Sequence, residues 1–199
     1  VYNGLKKAQK TAFSHFLYAQ NLLSVSGICT FVIGKPTKST NYKQSKMEQT
    51  LVILKPSAIE RGLAGRVIDR FQSKGLLIAG CKMMQLNEQI LREHYAHLVD
   101  KPFFPTLLKS MMACPVIVMV LKGKEAVDVV RLMTGATNGR QALPGTIRGD
   151  FAMSNQENIV HASDSPENAE IEVKRFFRPE EIFDYELATL PFTLGPSER

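Results

Sequence analysis

Two uninterrupted apolar runs, LVIL at 51–54 and PVIVMVL at 115–121, set the tightest limits on what this chain can fold into. Short continuous apolar runs bounded by turn residues read as buried strands. The first ends in Lys55-Pro56, so it delivers a lysine at a strand end, where proline breaks the ladder. Between and after the runs the period changes. Leu63, Val67, Ile68 and Phe71 share one helix face, and Gly75 stops that helix. Residues 76–86 read as a second strand, and Asn87 caps a helix reaching about Leu98. Residues 103–112 form a short helix after Lys101-Pro102, and 124–134 a helix with Ala126, Val127, Val130 and Met133 inward. A stretch at 135–150 with four glycines and Pro144 reads as irregular, and long loops in compact domains are commonly functional. Residues 158–161 give a last short strand. Ser165-Pro166-Glu167 then opens a helix to about Phe177, and 178–199 form a wrapping tail. This β-α-β-α-β-α-β order predicts an α+β domain, a split βαβ arrangement on an antiparallel sheet with the paired helices on one side.

The net charge of +6 is unevenly placed. Residues 1–46 contain seven lysines and no Asp or Glu. Removing those seven from 25 Lys and Arg leaves 18 against all 19 acids, a net of −1 for 47–199. The basic balance therefore belongs to the extension and gives the domain at 47–199 no nucleic-acid-binding character. Three origins compete for 1–46: a secretory signal, whose apolar part is here diluted by His15, Gln20, Asn21 and Ser24; an organelle transit peptide, poorly matched by the lack of Arg; or sequence outside the mature protein, with Met47 as its start. The last is the expectation, with a cytoplasmic location. Cys29, Cys81 and Cys114 are too few and too scattered for a zinc site or a disulfide framework. No apolar run reaches 18 residues, so a spanning helix is not expected.

The stretch NIVHASD at 158–164 holds the histidine best placed for chemistry. His161 ends an apolar strand and precedes small residues that leave its ring accessible, and imidazole is largely unprotonated near neutral pH. Glu172, on the next helix, could orient it. From spacing alone, a satisfied structural histidine is the plainer reading. Lys55, Arg131 and Arg148 could be solvated charges, yet together they could neutralise a polyphosphate. Phe103-Phe104 reads as core, or as one exposed ring able to stack on a base. His94 and His97 lie three apart on a helix without a third ligand nearby and are taken as structural. No P-loop pattern and no protein-kinase signature is present, so a bound phosphate chain would be held by side chains.

Taken together, LVILKP, ERGLAGRVIDRF, REHYAHL, KPFFPTLL, RLMTGATN, LPGTIRGDF and NIVHASDS resemble the nucleoside diphosphate kinase family, in order from Met47 to about Tyr185. The last is close to the family signature N-x-x-H-[GA]-S-D. The resemblance implies a ferredoxin-like domain with a four-stranded antiparallel sheet. It also implies a ping-pong exchange that maintains nucleotide pools: a triphosphate, mainly ATP, phosphorylates His161 on its pros nitrogen, and a diphosphate of another base collects the group. On the same basis Lys55, Arg131, Thr137, Arg148 and Asn158 hold phosphates and sugar, Phe103 stacks on the base, Tyr95 and Glu172 support His161, and Ser163 orders the site. Magnesium would bridge the phosphates with no metal ligands from the protein. A homo-oligomer, tetramer or hexamer, is implied, with Pro144 at a loop associated with subunit contacts and no obligatory nucleic acid or membrane partner. Ser57-Ala58 departs from a frequent Asp-Gly, and Ala162 from a frequent Gly. The alternative is a nucleotide- or nucleic-acid-binding regulator, or a protein-histidine phosphotransferase, on the same fold.

Overall fold

Both apolar runs become central strands. In the computed structural model, which describes residues 47–198, the chain forms β1 (Glu48–Leu54), α1 (Pro56–Glu60), α2 (Ala64–Ser73), β2 (Leu77–Met84), α3 (Glu88–His94), α4 (Phe104–Met111), β3 (Val116–Gly123), α5 (Ala126–Thr134), α6 (Ile147–Phe151), β4 (Val160–Ala162), α7 (Pro166–Phe176) and α8 (Leu190–Thr193). The readings made of residues 1–46 lie outside the described residues. The sheet order is β2-β3-β1-β4, and every neighbouring pair is antiparallel. β1 and β2 are thus parallel with β3 between them, and β3 and β4 are parallel with β1 between them. This is the split βαβ fold of the ferredoxin-like class.

The crossover helices α2 and α5 share one face, as predicted. Val67, Phe71, Ala126 and Val130 pack there on Val52, Leu54, Met119 and Leu121. The opposite face is covered too. Leu51, Ile53, Val118 and Val120 lie under Leu91 of α3, Leu107, Leu108 and Met111 of α4, and Val173 and Phe176 of α7. Burial on both faces is why β1 and β3 are continuously apolar rather than alternating. Each fully buried large side chain, Phe71 among them, contributes about 1.5–3 kcal/mol.

Four local differences from the sequence reading have physical causes. The helix after Lys55-Pro56 is two pieces, because Gly62 at φ +63° turns the chain between α1 and α2. The helix capped by Asn87 stops at His94; Tyr95 leaves helical geometry (φ −108°, ψ 35°) and a 3-10 turn, Ala96–Leu98, follows. The stretch at 135–150 contains a 3-10 turn, Gly139–Gln141, and the start of α6, pieces too short to show a 3.6-residue period. The last strand begins at Val160 because Ile159 has φ +72°.

The tail follows the outer edge of β2. A bulge between Ile78 and Gly80 frees the Ala79 carbonyl, which accepts from Phe183 N at 2.8 Å, while Tyr185 donates to the Ile78 carbonyl at 2.9 Å. Among the described residues no helix is long and apolar enough to cross a membrane.

Candidate active site

Alternation along β1 points Leu51 and Ile53 toward α3, α4 and α7, and Lys55 is the next residue on that side. On β4, Val160 and Ala162 pack in the other layer, so His161, paired with Ile53, faces the same way as Lys55. Period-two geometry on two adjacent strands therefore brings together residues more than a hundred positions apart.

α7 supplies the partner for His161. Ser165 caps it, accepting from Asn168 N at 3.1 Å, with Pro166 in the first turn. Ala169, Val173 and Phe176 bury its inner face, and Glu172 lies within that face. Its carboxylate is 3.2 Å from His161 Nε2, and Ser163 Oγ donates to it at 2.6 Å. Ser163 is itself fixed: its hydroxyl accepts from Leu51 N at 3.1 Å, and its own N–H donates to the Leu51 carbonyl. Burial works against the charge on Glu172. The hydrogen bonds with His161 and Ser163 and the nearby imidazoles outweigh it, holding the carboxyl below its ordinary range. A carboxylate on Nε2 fixes that nitrogen as the protonated one and puts the ring lone pair on Nδ1.

The cations sit beside this pair. Lys55 Nζ donates to Asn158 Oδ1 at 2.6 Å and to the Gln156 carbonyl at 3.3 Å. Asn158 in turn donates to the carbonyls of Thr137 and Asn155, both at 2.9 Å. Burial, then Arg148, pushes the Lys55 ammonium down to about 8, with Glu157 acting in the opposite sense. Arg148 donates to the carbonyls of Gly135 at 2.7 Å and Val160 at 2.8 Å, which ties it to the residue before His161. Burial and the neighbouring Arg131 lower its guanidinium to about 10, and its Nε is buried without a hydrogen-bond partner. Two depressed cations and an orphaned donor are what an anion would relieve. Gly149 is needed beside Arg148, since a Cβ there would strike the Leu143 carbonyl.

Ile159 is the strained point. Val160 N donates to the Asn158 carbonyl at 2.8 Å across it, a γ-turn at positive φ in a β-branched residue. Such backbone costs about 1–3 kcal/mol and persists where surroundings over-determine it. Here Lys55 N donates to the Ile159 carbonyl at 2.9 Å, and the side chain is fully buried. The turn lets Asn158 reach Lys55 while His161, three residues on, reaches Glu172.

Tyr95 is buried with its ring centroid 6.0 Å from that of His161, and burial raises its phenol. Arg131 and Thr137 are exposed beside the cluster, Thr137 joining it through its carbonyl. The aromatic pair divides: Phe104 enters the core at 2% exposure, whereas Phe103, at the start of α4, is 52% exposed. Phe103 has no ring contact or hydrogen bond to the cluster among the described residues.

A family model described as nucleoside diphosphate kinase matches residues 48–182. The chain belongs to the nucleoside diphosphate kinase family. A nucleoside diphosphate kinase of Parabacteroides distasonis is 62% identical over 144 residues, covering 72% of this chain and 94% of its own length. That of Pyrococcus horikoshii is 50% identical over 144 residues, covering 71% of this chain and 92% of its own. Among solved structures, the halophilic nucleoside diphosphate kinase of Halobacterium salinarum in complex with CDP matches with a TM-score of 0.72 at 37% identity, covering 74% of this chain and 99% of its own. The family transfers phosphoryl groups between nucleotides, and this chain is such a transferase.

The sequence reading left His94 structural, and the fold places it against the cluster. Its ring centroid is 4.4 Å from that of His161. Its position as the last residue of α3 carries no signal of that contact.

Proposed function

We propose that His161 carries the phosphoryl group between two nucleotides bound in turn at one site. The observation that carries this reading is the pairing of Glu172 with Nε2, which supports a free lone pair on Nδ1 as the nucleophile. In the first half-reaction Nδ1 attacks the terminal phosphorus of a triphosphate. The N–P bond forms, the bond to the bridging oxygen breaks, and the diphosphate leaves with that electron pair. The imidazolium so formed keeps its Nε2 proton against Glu172. In the second half-reaction a terminal oxygen of another diphosphate attacks the phosphorus, and the electron pair returns to Nδ1. No proton need be transferred, so the demand is for positioning and charge neutralisation. Lys55, Arg131 and Arg148 supply the neutralisation, and Asn158 and Thr137 hold phosphate or sugar. Tyr95 packs beside the ring of His161.

Magnesium would be held chiefly by the nucleotide's phosphates, where it would neutralise their charge beside Lys55, Arg131 and Arg148 with no dedicated protein cage. The one group of three potential ligands among the described residues is His94, His161 and Glu172, and two imidazoles with one carboxylate do not suit a hard cation that prefers oxygen. Phe103 offers an exposed face for a base; a stacking face reads no hydrogen-bond edge, which supports broad base tolerance. The bound CDP of the H. salinarum relative supports a nucleotide at this fold. The exposed Leu143, Pro144 and Met153 support a homo-oligomeric contact through that segment.

The test is a label and chase. Terminally labelled ATP with magnesium should give an acid-labile, alkali-stable phosphoenzyme, discharged by a different nucleoside diphosphate. His161→Ala should abolish both steps; labelling or turnover in that variant overturns the proposal.

A further inference from the structure

His94 does not behave as a satisfied core histidine. It is 6% exposed, and its Nε2 is buried with no partner, whereas buried polar groups are ordinarily hydrogen-bonded. Its ring stands edge-on to those of His161 (4.4 Å), Tyr95 (4.5 Å) and Phe176 (5.2 Å). Arg175 Nη1 lies 3.3 Å from its Nδ1. A guanidinium can only donate, so Nδ1 accepts and Nε2 carries the hydrogen. Burial, helped by His161 and Arg175 against Glu172, lowers the imidazole to about 3, so the ring is neutral.

Arg175 itself is the second observation. It stands three residues after Glu172 on α7, a spacing at which opposite charges usually pair. Among the described residues no ion pair joins them. Arg175 donates to His94 instead, and Glu172 Oε1 is 3.6 Å from the same Nδ1. Glu172 is left with His161 and Ser163 as its hydrogen-bond partners.

We infer that His94 is a positioning residue that diverts Arg175 from Glu172, so that the carboxylate stays committed to Nε2 of His161. This rests on the phosphohistidine reading above. Without an acceptor at position 94, Arg175 would take Glu172, and His161 would lose the partner that fixes its tautomer. The arrangement is a decoy acceptor: a neutral ring engages the cation that would otherwise neutralise the catalytic pair.

The test uses full-length protein and single-turnover formation of the phosphoenzyme from MgATP. His94→Phe keeps an aromatic ring and removes the acceptor; it should slow phosphorylation about tenfold to a hundredfold, with KM changing less than about threefold. His94→Asn, which retains an acceptor near Nδ1, should be at least about tenfold faster than His94→Phe. Adding Arg175→Met to His94→Phe should restore at least about tenfold. Nitrogen-15 spectra of labelled histidine should show a single Nε2–H tautomer for His161 in wild type and a mixture in His94→Phe. If His94→Phe reacts within twofold of wild type, or if removing Arg175 restores nothing, the decoy role is overturned and His94 is packing only. Should phenylalanine not be accommodated, His94→Met against His94→Gln makes the same comparison. A wild type that forms no phosphoenzyme would instead overturn the reading beneath, so the two failures are distinguishable.

Discussion

The two faces of the sheet are built from the same strands and put to opposite uses. Under α2 and α5, the core layer is an apolar cluster running from Leu54 and Phe71 to Ile147 and Val160. Under α3, α4 and α7, the layer is equally apolar at Leu51, Val118 and Val120. It then gives way, at the end of β1, to Lys55, His161, Ser163, Glu172 and His94. The difference teaches where function can be placed in a small α+β domain. One face closes the core, and the other ends in a largely buried polar corner in which charges are strong because water is scarce. The polar corner works against stability, because burial penalises the charged form of Lys55.

The sharpest way to break the comparison is a cavity in the closed face. Phe71→Ala should cost about 3–5 kcal/mol in urea unfolding, while kcat of the folded fraction stays near wild type. A kcat that falls in proportion would mean the faces are not separable. A smaller effect of opposite kind comes from the polar face. Glu172→Gln should slow phosphoenzyme formation roughly 10- to 100-fold, about 1.4–2.7 kcal/mol of barrier, with the melting temperature shifted little. A large loss of stability with unchanged rate would make Glu172 structural.

The third prediction concerns pH. Lys55 in the free protein is protonated below about 8. If its charge holds phosphate, kcat/KM should be level below that pH and fall above it, and Lys55→Arg should lower the plateau but extend it past pH 9. Stability should move the other way. Between about 8 and the ordinary 10.5 the unfolded chain binds more protons at this site than the folded one, so the lysine's contribution to stability rises with pH. An alkaline limb unchanged in Lys55→Arg would assign it to another group.

The sheet, both crossover helices and the end of α7 were legible in the chain because each is a periodic pattern with a cap or a breaker. Ser165-Pro166-Glu167 and Asn87 both cap as read. The site was legible as residue types, and the family resemblance joined them. What stayed hidden depends on a third dimension. Nothing in Phe103-Phe104 says which ring is core. α6 could have been found from Thr146, whose hydroxyl accepts from Gly149 N at 3.1 Å, although its five residues are too few for a period. Ile159 gave no warning, since a β-branched residue is the last expected at positive φ. His94 and Arg175 are 81 residues apart, and only the packing of α3 on α7 makes them partners.

The bond between Lys55 and Asn158 joins positions 103 apart, at the first strand and just before the last. Domains fold as units, and β4 and α7 complete the sheet and core of this one, so the contact forms only once the chain has been made through α7. The partner of Lys55, the His161 ring and its carboxylate are completed together, by the segment from Asn158 to Glu172. Chains that end before Glu172 would therefore carry no transferase, and activity would arrive as a single late event in the life of each molecule.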